Sequence, residues 1–172
     1  MNASVVQRYM SKTFLLIGGN TGDRLANLRQ ATDLIDKKCG ALLNVSSIYE
    51  TAAWGKTDQP SFLNQALELE TLFEPLRLLD EILEIEKIMG RHREERYGPR
   101  NIDIDIIFYD SRIIAEPGLR IPHPRLQDRR FVLMPLNELA PDWEHPIFHK
   151  TIRQLLAECP DSLHVEKFMD VK

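Results

Sequence analysis

The order in which two hydrophobic periodicities follow each other along the chain restricts its fold more than any other feature. Short runs of apolar and β-branched residues, which predict strands, alternate with stretches in which apolar residues recur every three or four positions, as in helices. From the N-terminus the order is strand, helix, strand, strand, helix, strand, in the segments 13–17, 23–40, 45–49, 62–72, 75–90 and 102–107. This order predicts an α+β fold with a ferredoxin-like βαββαβ core, in which the helices cover one face of an antiparallel sheet.

The rest of the chain predicts a C-terminal helical extension of this core. Residues 113–121 have the pattern of a short hairpin, and residues 130–139 have that of a short helix. Thr151 and Gln154 have the spacing of a capping box, which predicts that a last helix begins there and ends near Pro160.

Length and composition favour a single domain that works in the cytoplasm. The 172 residues suit one compact domain, which the patterns place at 13–160, between tails at 1–12 and 161–172. Cys39 and Cys159 lie far apart and suggest no disulfide framework, and no apolar run resembles a signal peptide or a membrane span. The formal net charge of −4 argues against general nucleic-acid binding. We therefore expect a soluble, cytoplasmic monomer without nucleic-acid or membrane partners.

Two aspartates separated by one residue lie in the last strand of the predicted core. Because residues two apart on a strand point to the same side, Asp103 and Asp105 are expected to share one face. Ile102, Ile104 and Ile106 would then fill the core on the other face. Two adjacent carboxylates repel each other unless a cation lies between them, and Mg²⁺ is the cation that bridges carboxylate and phosphate oxygens.

A cluster of basic residues directly precedes this strand. It comprises Arg91, His92, Arg93, Arg96 and Arg100. An isolated Asp-x-Asp pattern more often marks a solvated strand face, and a run of charges is usually a solvated loop. The concentration of arginines beside the carboxylates instead favours a site for a metal–polyphosphate complex, because the planar guanidinium group matches phosphate oxygens.

Three further features allow both a structural and a functional interpretation. The glycine-rich turn at 18–23 lies between a strand and a helix, but no lysine follows as in a P-loop, so we predict a tight turn that lines a pocket. His123 lies between two prolines and can bind a phosphate, with a surface histidine in a turn as the alternative. Phe62 and Phe131 are expected either to pack in the core or to stack on a flat heterocycle.

Several motifs together resemble those of one family, the 6-hydroxymethyl-7,8-dihydropterin pyrophosphokinases of folate biosynthesis. They lie, in order, at 17–24, 46–51, 58–64, 90–91, 97–105 and 121–124. The resemblance implies the ferredoxin-like fold and a transfer of pyrophosphate from ATP to the hydroxymethyl group of the pterin, which releases AMP. It also implies two Mg²⁺ ions as cofactors and ATP as co-substrate.

The resemblance also implies a role for individual residues. The implied catalytic residues are Arg91, Arg93, Arg100, Asp103 and Asp105, of which the two aspartates are the implied metal ligands. The positions that match ATP-binding residues are Glu86, Arg96, Ile106, His123 and Arg129. The positions that match the pterin pocket are Thr51, Trp54, Phe62, Asn64 and Phe131, with Asn20 close to it. In this arrangement the two phenylalanines sandwich the pterin ring, and Asn64 binds its hydrogen-bonding edge.

Two alternatives share the same fold. One is a non-catalytic nucleic-acid-binding domain, since a sheet with surface aromatics and arginines also recognises RNA. The acidic composition and the pair of aspartates argue against it, because carboxylates repel phosphates when no metal is bound. The other is a domain that binds a small ligand without turnover, and AMP formation from ATP distinguishes the enzyme from both.

Overall fold

A computed structural model of the protein describes residues 9–53, 58–91 and 98–169. Within these residues the chain forms eight strands and four α-helices. In chain order they are β1 (Ser11–Gly19), α1 (Arg24–Lys38), β2 (Ala41–Val45), β3 (Tyr49–Thr51), β4 (Phe62–Thr71), α2 (Pro75–Ile88), β5 (Asp103–Tyr109), β6 (Ile114–Glu116), β7 (Leu119–Ile121), α3 (Arg130–Leu139), α4 (Ile152–Glu158) and β8 (Val165–Lys167).

The main sheet is antiparallel and has β1 at its centre. Strands β4 and β5 pair with β1 on its two sides, and both β2 and β3 pair with β4. Strand β8 pairs with the outer edge of β3, while β6 and β7 form the separate hairpin expected at 113–121. The two strand–helix–strand units and the position of β1 between β4 and β5 confirm the ferredoxin-like prediction.

Each face of the sheet carries its own core. Leu15 and Ile17 of β1 belong to the first core, which the sheet shares with α1 and α2. Phe14 and Leu16 point to the opposite face, where α3 and α4 cover a second core. Because β1 is buried on both faces, its sequence is a continuous apolar run rather than an alternation. The helices of the βαββαβ core thus cover one face, and the C-terminal helical extension covers the other.

The second predicted strand, 45–49, is the place where the structure differs most from the sequence pattern. The chain forms two short strands there, β2 and β3, which flank Ser46. The main-chain N–H of Ser46 donates to the carbonyl of Ala66, and the Ser46 hydroxyl accepts the N–H of Ala66 at 2.9 Å. The Ser46 hydroxyl therefore takes the place of a main-chain carbonyl as the acceptor for β4. The regular strand is interrupted at this residue.

The apolar stripe of α2 and the two ends of the chain also differ from the sequence pattern. In α2, Leu76, Leu79, Ile82 and Leu83 recur at helical spacing, which predicts that they face the core. Leu76 and Leu83 are instead 49% and 37% exposed, whereas Leu78 and Ile85 are buried. In the segment expected to be a C-terminal tail, Val165–Lys167 forms β8. At the other end, β1 begins two residues earlier than expected.

Local helix signals, by contrast, agree with the structure. The Asp23 side chain accepts the main-chain N–H of Ala26 and so caps α1. Thr151 and Gln154 form both hydrogen bonds of the capping box at α4. Among the residues that the structure describes, no helix is long and apolar enough to cross a membrane.

Candidate active site

The register of the sheet brings two predicted site residues, one on β4 and one on β5, to the two sides of the same residue of β1. Gly18 of β1 lies opposite Asp103 of β5 on one side and opposite Asn64 of β4 on the other. Leu16, two residues before Gly18 on β1, lies opposite Asp105. Since opposite residues point to the same face, both aspartates and Asn64 lie on the face that carries α3 and α4.

The two aspartates form a partly buried carboxylate pair. The alternate residues Ile104 and Ile106 are buried in the first core, as the sequence pattern predicted. Burial and the neighbouring Asp103 carboxylate raise the pKa of Asp105 to about 7, against the opposing effect of Arg129 and Arg100. The cost of charging Asp105 beside Asp103 is relieved by a cation between them.

The donor set suits Mg²⁺ that is shared with a phosphate ligand. Within the described part of the chain, no group of three or more histidine, cysteine, aspartate or glutamate side chains is arranged to hold a metal ion. Mg²⁺ commonly binds through one or two carboxylates and completes its octahedron with water and substrate phosphates. Asp103 and Asp105 supply such a pair of carboxylates.

Two arginines bind the carboxylate of Asp103. Arg91 Nη1 lies 2.6 Å from Asp103 Oδ1, and Arg100 Nε lies 3.0 Å from Asp103 Oδ2. Arg91 also forms an ion pair with Glu86, which is only 3% exposed. Glu86 Oε1 accepts the main-chain N–H of Ile104 at 2.9 Å, so this glutamate joins α2, β5 and Arg91.

On the other side of Gly18 lies a second group of polar and aromatic side chains. Asn64 Nδ2 donates to Thr51 Oγ1 at 3.2 Å, and both residues are buried. Phe62 is half-buried on the same strand face as Asn64, and the guanidinium carbon of Arg100 lies 5.1 Å from its ring centroid. Arg100 therefore links this group to the carboxylate pair.

Asn20 connects the two groups through the main chain. Its side-chain oxygen accepts the N–H of Arg100 at 2.9 Å, while its Nδ2 donates to Gln59 Oε1 and the Pro60 carbonyl at 3.0 Å each. The side chain is 2% exposed. The polar atoms of Asn20 thus hold the segment of Arg100 and the segment before β4 together.

His123 and Arg129, from the segment before α3, interact electrostatically with the two aspartates, and Phe131 lies at the start of α3. Burial, followed by the charge of Arg129, lowers the pKa of His123 to about 4. Its Nδ1 accepts the main-chain N–H of Arg125 at 3.2 Å, which leaves the proton of the neutral ring on Nε2. The guanidinium carbon of Arg129 lies 5.7 Å from the Phe131 ring centroid, and Phe131 packs partly on the second core.

One of the residues expected at the site, Ile106, has its side chain on the opposite face of the sheet. The side chain of Ile106 is buried in the first core, so only its main chain is available to a nucleotide. Trp54, Arg93 and Arg96 lie outside the described residues.

The structure also shows a contact that the sequence analysis did not assign. Arg24 joins the ends of the segment between β3 and β4, through Glu50 and the Ser61 carbonyl. A cavity of about 550 Å³ opens beside this contact, lined by Asn20, Thr21, Gly22, Arg24, Glu50, Pro60 and Ser61. The only available signal was that Arg24 and Glu50 each lie in a motif shared with the family.

A family model described as 7,8-dihydro-6-hydroxymethylpterin-pyrophosphokinase matches residues 14–141. The chain belongs to this family. The 2-amino-4-hydroxy-6-hydroxymethyldihydropteridine pyrophosphokinase of Aquifex aeolicus is 36% identical, over 87% of this chain and 92% of the relative. The protein of the same name from Methylorubrum extorquens is 40% identical, over 89% of this chain and 96% of the relative.

Solved structures support the same fold. The wild-type HPPK-DHPS of Plasmodium falciparum superposes with a TM-score of 0.73 at 20% identity, over 89% of this chain and 44% of the compared chain. This chain therefore spans less than half of that protein. Family membership makes the protein a pyrophosphokinase of folate biosynthesis with ATP as co-substrate, and it disfavours the two binding-domain alternatives.

Proposed function

We propose that Asp103 and Asp105 hold two Mg²⁺ ions, through which the protein transfers the β,γ-pyrophosphoryl group of ATP to the hydroxymethyl group of 6-hydroxymethyl-7,8-dihydropterin. The observation that carries this proposal is the convergence, on one sheet face, of a carboxylate pair, two arginines and a buried amide beside an aromatic ring. The carboxylates suit a metal-bound phosphate chain, and the amide with the ring suits a flat heterocycle.

The proposed reaction is an in-line displacement at the β-phosphorus of ATP. The substrate hydroxyl attacks this phosphorus, the bond to the α-phosphate oxygen breaks, and AMP leaves. Bound Mg²⁺ would neutralise the phosphate charge and lower the pKa of the attacking hydroxyl. Transfers of this kind need little covalent participation by the protein, whose task is alignment and charge stabilisation.

Arg91 and Arg100 are placed to supply that stabilisation. Both guanidinium groups bind Asp103, so their charge is held at the carboxylates proposed to bind the metal. When a cation binds Asp103, the guanidinium groups can turn to the phosphate oxygens, which accept bidentate hydrogen bonds. The neutral His123 retains a donor at Nε2 for a phosphate oxygen. Glu86 keeps Arg91 and the edge of β5 in position.

The pterin is assigned to the other side of Gly18. Phe62 and Phe131 provide the ring faces, and Asn64 with Thr51 provides hydrogen bonds to the ring edge. For the remaining residues the proposal rests on the resemblance. It assigns Arg93 to the transfer step, Trp54 to the pterin, and Arg96, Arg129 and Ile106 to ATP.

The proposal also covers the organisation of the chain. We infer a single catalytic domain that acts as a monomer in the cytoplasm. Its limits extend beyond the predicted 13–160 to include β8, because Val165–Lys167 pairs with β3 next to the pterin side.

The direct test follows the phosphorus nuclei of ATP by NMR in the presence of Mg²⁺ and 6-hydroxymethyl-7,8-dihydropterin. Pterin-dependent formation of AMP and a pterin pyrophosphate is the expected result, and it reports the attack on the β-phosphorus directly. Formation of ADP would instead mean transfer of a single phosphoryl group. A folded, Mg²⁺-loaded sample that forms no product would support a binding domain.

A further inference from the structure

The first residue of α1, Arg24, joins both ends of the segment that carries the pterin side of the proposed site. Its Nη1 donates to Glu50 Oε1 at 2.7 Å and to the Ser61 carbonyl at 2.9 Å. Glu50 directly precedes Thr51, and Ser61 directly precedes Phe62. One guanidinium nitrogen therefore contacts the chain on both sides of residues 52–60. Each contact lies one residue before a proposed pterin contact, Thr51 or Phe62.

The Arg24 bridge, formed by Arg24 with Glu50 and the Ser61 carbonyl, closes the end of a strand ladder. Thr51 and Phe62 are the last paired residues of β3 and β4, so the ladder itself holds nothing beyond them. The side chains of Arg24 and Glu50 are 28% and 29% exposed, which shields the ion pair from much of the water. An ion pair in such a place limits how far the two ends can separate.

The C-terminal strand supports the bridge from the other side. The guanidinium carbon of Arg24 lies 5.9 Å from the ring centroid of Phe168, whose N–H donates to the Ile48 carbonyl at 2.8 Å. Phe168 follows β8 and packs against the first core. The bridge is thus attached to the sheet edge as well as to α1.

The charges within α1 alone do not explain why an arginine is its first residue. The N-terminal end of a helix carries partial positive charge, so an arginine at its first residue is unfavourable. The first turn of α1 contains no acidic residue to offset it. On the sheet, however, Glu50 lies directly opposite Glu166, and like charges in that register are destabilising. The Arg24 cation offsets the charge of Glu50. Arg24 is therefore favourable only in the assembled fold, where α1 and β3 meet.

We infer that Arg24 is a positioning residue for the pterin, which acts by keeping the last pair of the β3–β4 ladder, Thr51 and Phe62, closed in the arrangement that the pterin ring requires. This inference rests on the proposed function. It predicts that loss of the bridge weakens pterin binding selectively, since ATP is assigned to β5, α2 and the segment before α3.

The test compares steady-state kinetics of Arg24→Gln with those of Arg29→Gln, which removes the same charge from an exposed position on the same helix. For Arg24→Gln we expect KM for the pterin to rise about tenfold, as for the loss of a charged hydrogen bond, with KM for ATP within twofold of wild type. Arg29→Gln should leave both constants unchanged, and Arg24→Lys should recover part of the loss because it keeps the charge.

The outcomes separate this inference from the proposed function. If wild type forms no AMP, the proposed function fails, and the inference fails with it. If wild type is active and Arg24→Gln changes neither KM, or changes both equally, the inference alone is overturned. Should Arg24→Gln not fold, Glu50→Gln serves as the variant, because it removes the same ion pair and keeps the size of the side chain.

Discussion

Replacing Arg100 by methionine is expected to change metal binding and turnover in opposite directions. Arg100 and Arg91 each bind one oxygen of Asp103, at 3.0 and 2.6 Å. A divalent cation has to displace at least one of these guanidinium groups, which both compete for the carboxylate and repel the metal. Removal of Arg100 leaves Asp103 Oδ2 available to the cation.

The magnitude of this effect follows from how exposed the pair is. The side chains of Arg100 and Asp103 are 24% and 23% exposed, so water weakens their attraction. A pair of this kind contributes about 1 kcal/mol, which corresponds to about fivefold in a binding constant. The nucleotide-free variant should therefore bind metal about fivefold more tightly. Turnover should fall by about 10²–10³, the usual effect of removing one donor to transition-state charge.

Metal binding can be followed by electron paramagnetic resonance with Mn²⁺, which accepts the same oxygen ligands as Mg²⁺. Arg120→Met is a suitable control, because Arg120 is exposed on β7 and its replacement changes the net charge equally. If Arg100→Met binds Mn²⁺ no more tightly than this control, arginine and metal do not compete at Asp103. Turnover within threefold of wild type would refute a role for Arg100 in the transfer step.

Three further perturbations test the site. Asp103→Ala and Asp105→Ala should each abolish AMP formation while the protein stays folded by circular dichroism, because both side chains face the site; near-normal turnover in both would overturn the metal assignment. Gly18→Ala should raise KM for the pterin about tenfold and leave KM for ATP unchanged, because the added Cβ collides with Asn64 Oδ1; equal changes in both constants would contradict this. The lowered pKa of His123 means that the unfolded chain binds a proton there that the folded protein does not, so the contribution of His123 to stability falls as pH drops below 6.5, while the raised pKa of Asp105 acts in the opposite direction. In urea denaturation the stability of His123→Gln relative to wild type should therefore increase between about pH 7 and pH 5, and an unchanged difference would show that His123 makes no contribution.

The sequence predicted best what depends on local pattern. The alternation in β5 placed Ile104 and Ile106 in the core and the aspartates on the other face, because the two sides of a strand meet different surroundings. The helix caps at Asp23 and Thr151 likewise depend only on residues three positions away. The pterin side was different: Thr51 and Asn64 have no distinguishing local pattern, and only the resemblance to the family assigned them to it.

What the sequence could not predict depends on tertiary contacts. Leucines occur around most of α2, so the pattern alone does not decide which of them the sheet buries, and Leu76 was assigned to the wrong side. Strand β8 has three residues, two of them charged, and it forms because β3 offers an unpaired edge. Arg24 meets Glu50 only after the βαβ unit has closed, so neither residue reveals the ion pair in sequence.

The central strand contributes space to the proposed site rather than a reactive side chain. A Cβ on Gly18 would collide with the amide of Asn64, and one on Gly19 would collide with the carbonyl of Asn101, next to Arg100. Both glycines therefore allow β4 and β5 to bring their functional groups over the end of β1. Because neighbouring strands lie about 4.8 Å apart, the backbones of Asn64 and Asp103 are separated by about 10 Å across Gly18. In the proposed function, a pterin ring held at Asn64 would extend its hydroxymethyl group across that distance towards a phosphate chain held at Asp103, so the sheet spacing would align the nucleophile with the group to be transferred.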